Sequence, residues 1–324
     1  MLKTEKPTLF IICFFLIISL AAFNFAIAST VKDFKILKGM SFGEIAGNLK
    51  NQGVIRSKLI FKIYSLITGN AFRFKPGEYV LAPNVSIIEL VRALVRGPEE
   101  INVVIFPGMT VSEIDRKLSA AKIINAGDLI NSDINVFKKY YFWFGPAPSF
   151  EGYLLPDTYR FYAGSDVNSV IHRFSENFQS KALPFLNNDD NIFNTLILAS
   201  LLEKEIPDYE EKRIAAGILL KRLKIGMPLQ VDASLVYAKC AGFLNCSRLI
   251  ESDYKIDSAY NTYLYSGLPK SPIANPGLES IKAVLNYKKT DYLYYLSDPK
   301  TKKTIFSKTL DEHNKNRAKY LLSE

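Results

Sequence analysis

Residues 194–206 read N-T-L-I-L-A-S-L-L-E-K-E-I, an apolar run that ends abruptly in charge. Leu196, Ala199, Ser200 and Glu203 fall at i, i+3, i+4 and i+7, so a helix here carries a carboxylate at the end of one apolar face. Burial disfavours the charged form of such a carboxyl, which is the condition under which a glutamic acid delivers a proton near neutral pH. Glu203 is therefore the first catalytic candidate, against the plainer alternative of a solvated helix-end residue or ion-pair partner. Glu205 shares a face with Leu198, Leu201 and Leu202, so periodicity by itself does not separate the two glutamates.

The chain of 324 residues is long enough for two modest domains, and 48% hydrophobic with 23% charged residues describes a folded protein and excludes a disordered one. The net charge of +9 is spread along the sequence. No basic arm or aromatic-interleaved basic tract marks a nucleic-acid binder, whereas a diffuse positive surface suits an anionic partner such as a membrane or an acidic wall polymer. Cys240 and Cys246 are separated by five residues and form either a small disulfide loop or two unpaired thiols, while Cys13 lies in an apolar segment. With two histidines, His172 and His313, the sequence offers no zinc or other metal centre and implies no cofactor.

Residues 8–28 contain no charge, and as a helix they would extend about 31 Å, the thickness of a bilayer core. Lys3 and Lys6 before this segment predict a cytoplasmic tail over 1–7, a transmembrane anchor over 8–28 and an exported remainder. A cleavable signal peptide ending at Ala26-Ile27-Ala28 is the alternative.

Beyond the anchor the sequence repeats itself. Residues 36–49 and 105–118 share G-M-[ST]-x-x-E-I-x-x-x-L, and Ser41 with Glu44, Thr110 with Glu113 and Ser86 with Glu89 each have capping-box spacing. Short β-like stretches at 33–37, 77–81 and 101–106 precede these boxes. Small strands and short amphipathic helices over 32–122 resemble the LysM-type modules that grip glycan chains, and a structural spacer is the alternative. The chain then turns aromatic and loop-rich, with E-G-Y-L-L-P-D-T-Y from Glu151, M-P-L-Q-V-D from Met227, Y-N-T-Y from Tyr260, G-L-P from Gly267, P-I-A-N-P-G from Pro272, and His313-Asn314 near the end. A hairpin over 292–296 and 304–307 and a polar helix follow the rigid proline-rich loop.

These motifs, in this order and together with Leu202-Glu203-Lys204-Glu205, resemble the YceG-like endolytic murein transglycosylases over nearly the whole chain. The resemblance implies an α+β protein: an N-terminal transmembrane helix, a small LysM-like αβ region over 32–122 and a mixed α/β catalytic domain over 123–324. It implies cleavage of the β-1,4 bond between N-acetylmuramic acid and N-acetylglucosamine in nascent strands, leaving a 1,6-anhydro end and terminating elongation. Glu203 matches the catalytic acid, with Glu205 in support, and Glu151, Gln230, Asp232, Tyr260, Asn261 and Thr262 match motif positions expected to place the glycan. Peptidoglycan strands, the inner membrane and peptidoglycan synthases are the implied partners, with the bulk of the chain periplasmic. Two rival readings are a water-using muramidase with Asp232 or Glu151 as second carboxylate, and a non-catalytic glycan-binding scaffold acting through 32–122.

Overall fold

Each capping box closes as its spacing predicts. Ser41 N–H donates to Glu44 Oε2 at 2.7 Å while Glu44 N–H donates to Ser41 Oγ at 3.3 Å, which starts helix α1 (Phe42–Asn51). The Ser86–Glu89 pair starts α3 (Ile87–Arg96), and α2 (Lys58–Ile67) lies between the two. Strand β1 (Lys32–Ile36) precedes α1, and β2 (Gly77–Leu81) follows α2 and pairs with β1 antiparallel, Phe34 opposite Tyr79 and Ile36 opposite Gly77. Alternation puts Phe34, Ile36, Tyr79 and Leu81 on one face, where they pack with Leu49, Phe61, Leu90 and Leu94 as a core.

These elements belong to the first of two compact units, the chain up to Ile101 with Arg160–Ser165; the second is Asn102–Tyr159 with Asp166–Glu324. The division falls at 101/102, so the helix of the Thr110–Glu113 box lies in the second unit. The computed structural model describes residues 32–81, 85–186, 191–240 and 249–321.

In the second unit, α4 (Val111–Ala120) follows the Thr110 box, and α5 (Val167–Lys181) is capped by Asp166. Strands β3 (Glu100–Ile105) and β4 (Asp157–Tyr162), within each of which the chain passes from one unit to the other, form a two-stranded sheet. The 194–206 run forms α6 (Ile192–Glu205), and every side chain from Thr195 to Leu202 is buried. A helix apolar on all sides is a core helix, surrounded rather than laid on a surface. Around it pack α7 (Tyr209–Lys224), α8 (Asp232–Cys240) and α9 (Leu278–Leu285). A hairpin of β5 (Tyr294–Ser297) and β6 (Thr304–Ser307) leads to α10 (Leu310–Leu321). The architecture is thus mixed α+β, as expected.

The expected localisation is corrected. Among the described residues no helix is long and apolar enough to cross a membrane, and residues 8–28, on which the anchor and the inner-membrane placement rested, lie outside the described residues. No membrane-spanning element is therefore assigned.

Gly217 shows how tightly α7 is held. A Cβ there would come within 2.0 Å of the Lys288 carbonyl oxygen, and the neighbouring Lys288 N–H donates to Arg213 O at 2.9 Å. Gly217→Ala must push the 286–290 segment off the helix. It should cost about 1–3 kcal/mol, read as a lower urea midpoint; an unchanged midpoint would mean the segment yields freely.

Candidate active site

The last turn of α6 sends three consecutive polar side chains in three directions. Glu203 Oε2 accepts from Gly277 N–H and from Ser280 Oγ, both at 2.8 Å, and Oε1 accepts from Lys212 Nζ at 3.3 Å. Gly277 is the N-cap of α9, so Glu203 places negative charge where free backbone donors and the helix dipole favour it. Its side chain is 11% exposed and that of Lys212 only 4%. Lys204 Nζ reaches Gly108 O at 3.2 Å.

Glu205 turns the other way, into a cavity of about 570 Å³ that Gln230, Asp232, Tyr254 and Tyr263 also line. Burial, the largest influence, pushes the Glu205 carboxyl up to about 7; the Ala233 N–H it accepts opposes this and the Asp232 carboxylate adds to it. Asp232 Oδ1 accepts from Tyr263 OH at 2.5 Å and from Tyr254 OH at 3.4 Å. Gln230 sits beside them at φ 51, the left-handed region that a side chain with a Cβ enters only at a cost.

Of the residues expected to place the glycan, Gln230 and Asp232 line this cavity, and the other four do not. Glu151 is 3% exposed and its carboxylate is held within the protein: it accepts from Val111 N–H at 3.1 Å, from Asn275 Nδ2 at 2.9 Å and from Tyr237 OH at 3.2 Å. Burial, only partly opposed by these donors, pushes its carboxyl up to about 8. Asn275 Oδ1 in turn accepts from Gly152 and Leu154 N–H, each at 2.9 Å, so E-G-Y-L-L-P and P-I-A-N-P-G are stitched side by side. Tyr260 bonds Ser271 Oγ at 2.7 Å. Asn261 and Thr262 are buried and shape the loop: Asn261 Nδ2 donates to Ile256 O at 2.8 Å, and Thr262 Oγ1 accepts from Val231 N–H at 2.9 Å.

Sequence reasoning missed Tyr263, Tyr254 and the far wall, where Arg222, Tyr294, His313 and Arg317 face the cavity. Tyr263 and His313 stood inside quoted motifs; the two arginines carried no local signal. Cys240, at the end of α8, is disulfide-bonded, and Cys246 lies outside the described residues. Among the described residues no group of His, Cys, Asp and Glu is arranged to hold a metal ion.

The YceG-like family model matches residues 34–319. An endolytic murein transglycosylase of Bacillus subtilis is 31% identical over 92% of this chain and 87% of its own length. One of Streptococcus pneumoniae is 26% identical over 89% of this chain and 58% of its own length. A crystal structure of a YceG-like protein from Listeria monocytogenes superimposes with a TM-score of 0.58 at 27% identity, covering 89% of this chain and all of that one. The chain belongs to the YceG-like family.

The Glu151 network has a signature in pH. Unfolded, its carboxyl ionises near 4.5, and folded near 8. Between those values the native state holds the extra proton, so stability falls as pH rises through the window, by at most about 1.4 kcal/mol per pH unit from this group. Glu151→Gln should flatten the stability profile between about pH 5 and about pH 8 in chemical denaturation; a profile parallel to wild type would assign the proton elsewhere.

Proposed function

We propose that the chain is an endolytic murein transglycosylase, a lyase that cuts peptidoglycan strands between N-acetylmuramic acid and N-acetylglucosamine and leaves a 1,6-anhydro end. The observation that carries the mechanism is Glu205: a carboxyl on a cavity wall, raised to about 7 by burial and by Asp232. The names of the relatives support the reaction class.

Within this reading the acid moves from Glu203, where the motif comparison put it, to Glu205. Glu203 is spent on Gly277, Ser280 and Lys212, whereas Glu205 faces the space a sugar would fill. Protonated Glu205 gives its proton to the bridging oxygen as the bond from that oxygen to the muramyl C1 breaks. The C6 hydroxyl of the same sugar bonds to C1 and passes its proton to the Glu205 carboxylate. The acid is thereby regenerated with no water consumed, and the intramolecular attack supplies the proximity a second nucleophile would otherwise provide. Asp232, oriented by Tyr263 and Tyr254, sets negative charge beside the positive charge that develops at C1.

A second reading has one observation in its favour: Asp232 shares the cavity with Glu205, as the paired carboxylates of a water-using muramidase would. The two differ in product, anhydro against reducing ends. The βααβ order of residues 32–81 supports assigning the LysM-like region a glycan-gripping role, followed along the chain by a catalytic region over 123–324. Termination of elongation beside a peptidoglycan synthase completes the proposal.

Mass analysis of uncrosslinked strands incubated with the chain tests both the reaction and its acid. Glu205→Gln should lower the rate by about 10²–10⁴-fold. Glu203→Gln should instead retain turnover while losing about 3 kcal/mol of stability, since Lys212 is left buried without its partner. Full activity in Glu205→Gln would return the acid to Glu203. The wild-type kcat/KM should also fall as pH rises through about 7, where Glu205 loses its proton.

A further inference from the structure

The cavity is electrically divided. Glu205 and Asp232 occupy one wall; Arg222, His313 and Arg317 occupy another. Among the described residues no ion pair joins the two walls, so the positive side is not neutralised by the acids that share its space.

Burial and the two neighbouring arginines hold the His313 imidazole below the usual histidine range, so the positive charge of this wall is that of Arg222 and Arg317. Arg222 is 4% exposed and spends its donors on carbonyl oxygens: Nε on Leu293 at 2.7 Å, and Nη1 on Leu229 at 2.7 Å and Pro228 at 3.3 Å. Carbonyls orient a guanidinium without cancelling its charge. Its Cζ lies 5.1 Å from the ring centre of Tyr294, and His313 stacks on the same ring at 5.2 Å with 25° between the planes. His313 Nδ1 is buried and has no hydrogen-bond partner among the described residues, a condition native proteins rarely leave unanswered. Arg317, one turn further along α10, is exposed, and no carboxylate pairs with it among the described residues. A fixed cation, an orphan ring nitrogen and an exposed guanidinium thus converge on one side of a cavity whose other side carries Glu205.

We infer that this basic wall binds a carboxylate carried by the muramyl residue of the glycan. The inference rests on the proposed reaction. N-acetylglucosamine is neutral, whereas muramic acid bears a lactyl ether that ends in a carboxylate or, when amide-linked, in a stem peptide with carboxylates of its own. A charge-assisted contact of this kind tells the two sugars of the alternating strand apart. It fixes which of the two glycosidic oxygens meets Glu205. Arg317 supplies the adjustable contact, and the Tyr294–His313 stack holds Arg222 and the imidazole in place beneath it.

The test measures binding separately from turnover, on three substrates: stem-bearing strands, strands stripped of peptide by an amidase so that the lactyl carboxylate is free, and stripped strands whose carboxylates have been methylamidated to neutrality. Titrating the non-cleaving Glu205→Gln chain should give a Kd about fivefold to tenfold weaker for the neutral strands than for at least one charged form. Whichever charged form binds tighter identifies the lactyl or the stem carboxylate. Adding Arg317→Ala should erase most of that difference and leave binding of the neutral strands unchanged, and Arg317→Lys should restore part of it. Because Arg317 is exposed, its variants should keep the wild-type melting temperature. Equal binding of all three strands, or an Arg317→Ala loss that is the same for neutral and charged strands, overturns the inference. A wild-type chain that prefers charged strands yet cuts none would overturn the proposed reaction and leave the carboxylate site standing.

Discussion

The fold of the second unit turns on one carboxylate. Glu203 closes the N-terminus of α9 and pairs with a lysine of α7 that is almost wholly removed from water. Three helices are thereby fixed against one point at the end of the central helix. A buried pair of this kind is weak as a source of stability but strict about geometry, because either partner left alone would be an unpaired buried charge. With Glu203 locked, the residue two positions on has its direction decided. Glu205 leaves the helix on the side where α8 begins and accepts from the Ala233 N–H.

A second constraint operates through amides. Asn275 bonds the backbone at Met109, Gly152 and Leu154 and the side chain of Glu151, so loops distant in sequence share one buried side chain. Every polar group in that knot is answered, which is what a loop-rich unit needs where helices and strands do not satisfy the backbone. Similarly, Asn261 and Thr262 are invested in the loop that presents Tyr263 to Asp232. Residues of this composition look like ligand binders in a sequence, and the hydrogen bonds they make here lie within the protein.

The short elements were legible because their signals are local. Capping boxes at Ser41, Ser86 and Thr110 and the β-like stretches before them need only neighbours within a few residues, and the structure places helices and strands there within a residue or two. The choice between Glu203 and Glu205 was not legible from pattern, for a physical reason: α6 is buried on all sides, so no face is distinguished by being apolar. What separates the two glutamates is Gly277 and Ser280 on one side and an open cavity on the other, groups some seventy residues away in the chain. Arg222 was invisible for the same reason, since a basic residue on a helix reads as solvated until something distant curves over it, and Arg317, exposed on α10, looks like any solvated residue. The anchor inferred over 8–28 lies outside the described residues, and the described part contains no helix of that character.

The order of the cavity walls along the chain has a consequence for biosynthesis. Glu205 and its neighbour Asp232 leave the ribosome well before α10, which brings His313 and Arg317. A growing chain that has not yet made α10 therefore lacks the part of the cavity wall that His313, Arg317 and Leu321 line. The environment that raises the Glu205 carboxyl is completed late, because Tyr295 and the rest of its hairpin lie far beyond Glu205 in the chain. In the proposed reaction, a product cut short by premature termination or proteolysis near the hairpin would keep Glu205 and lose the enclosure that tunes its carboxyl.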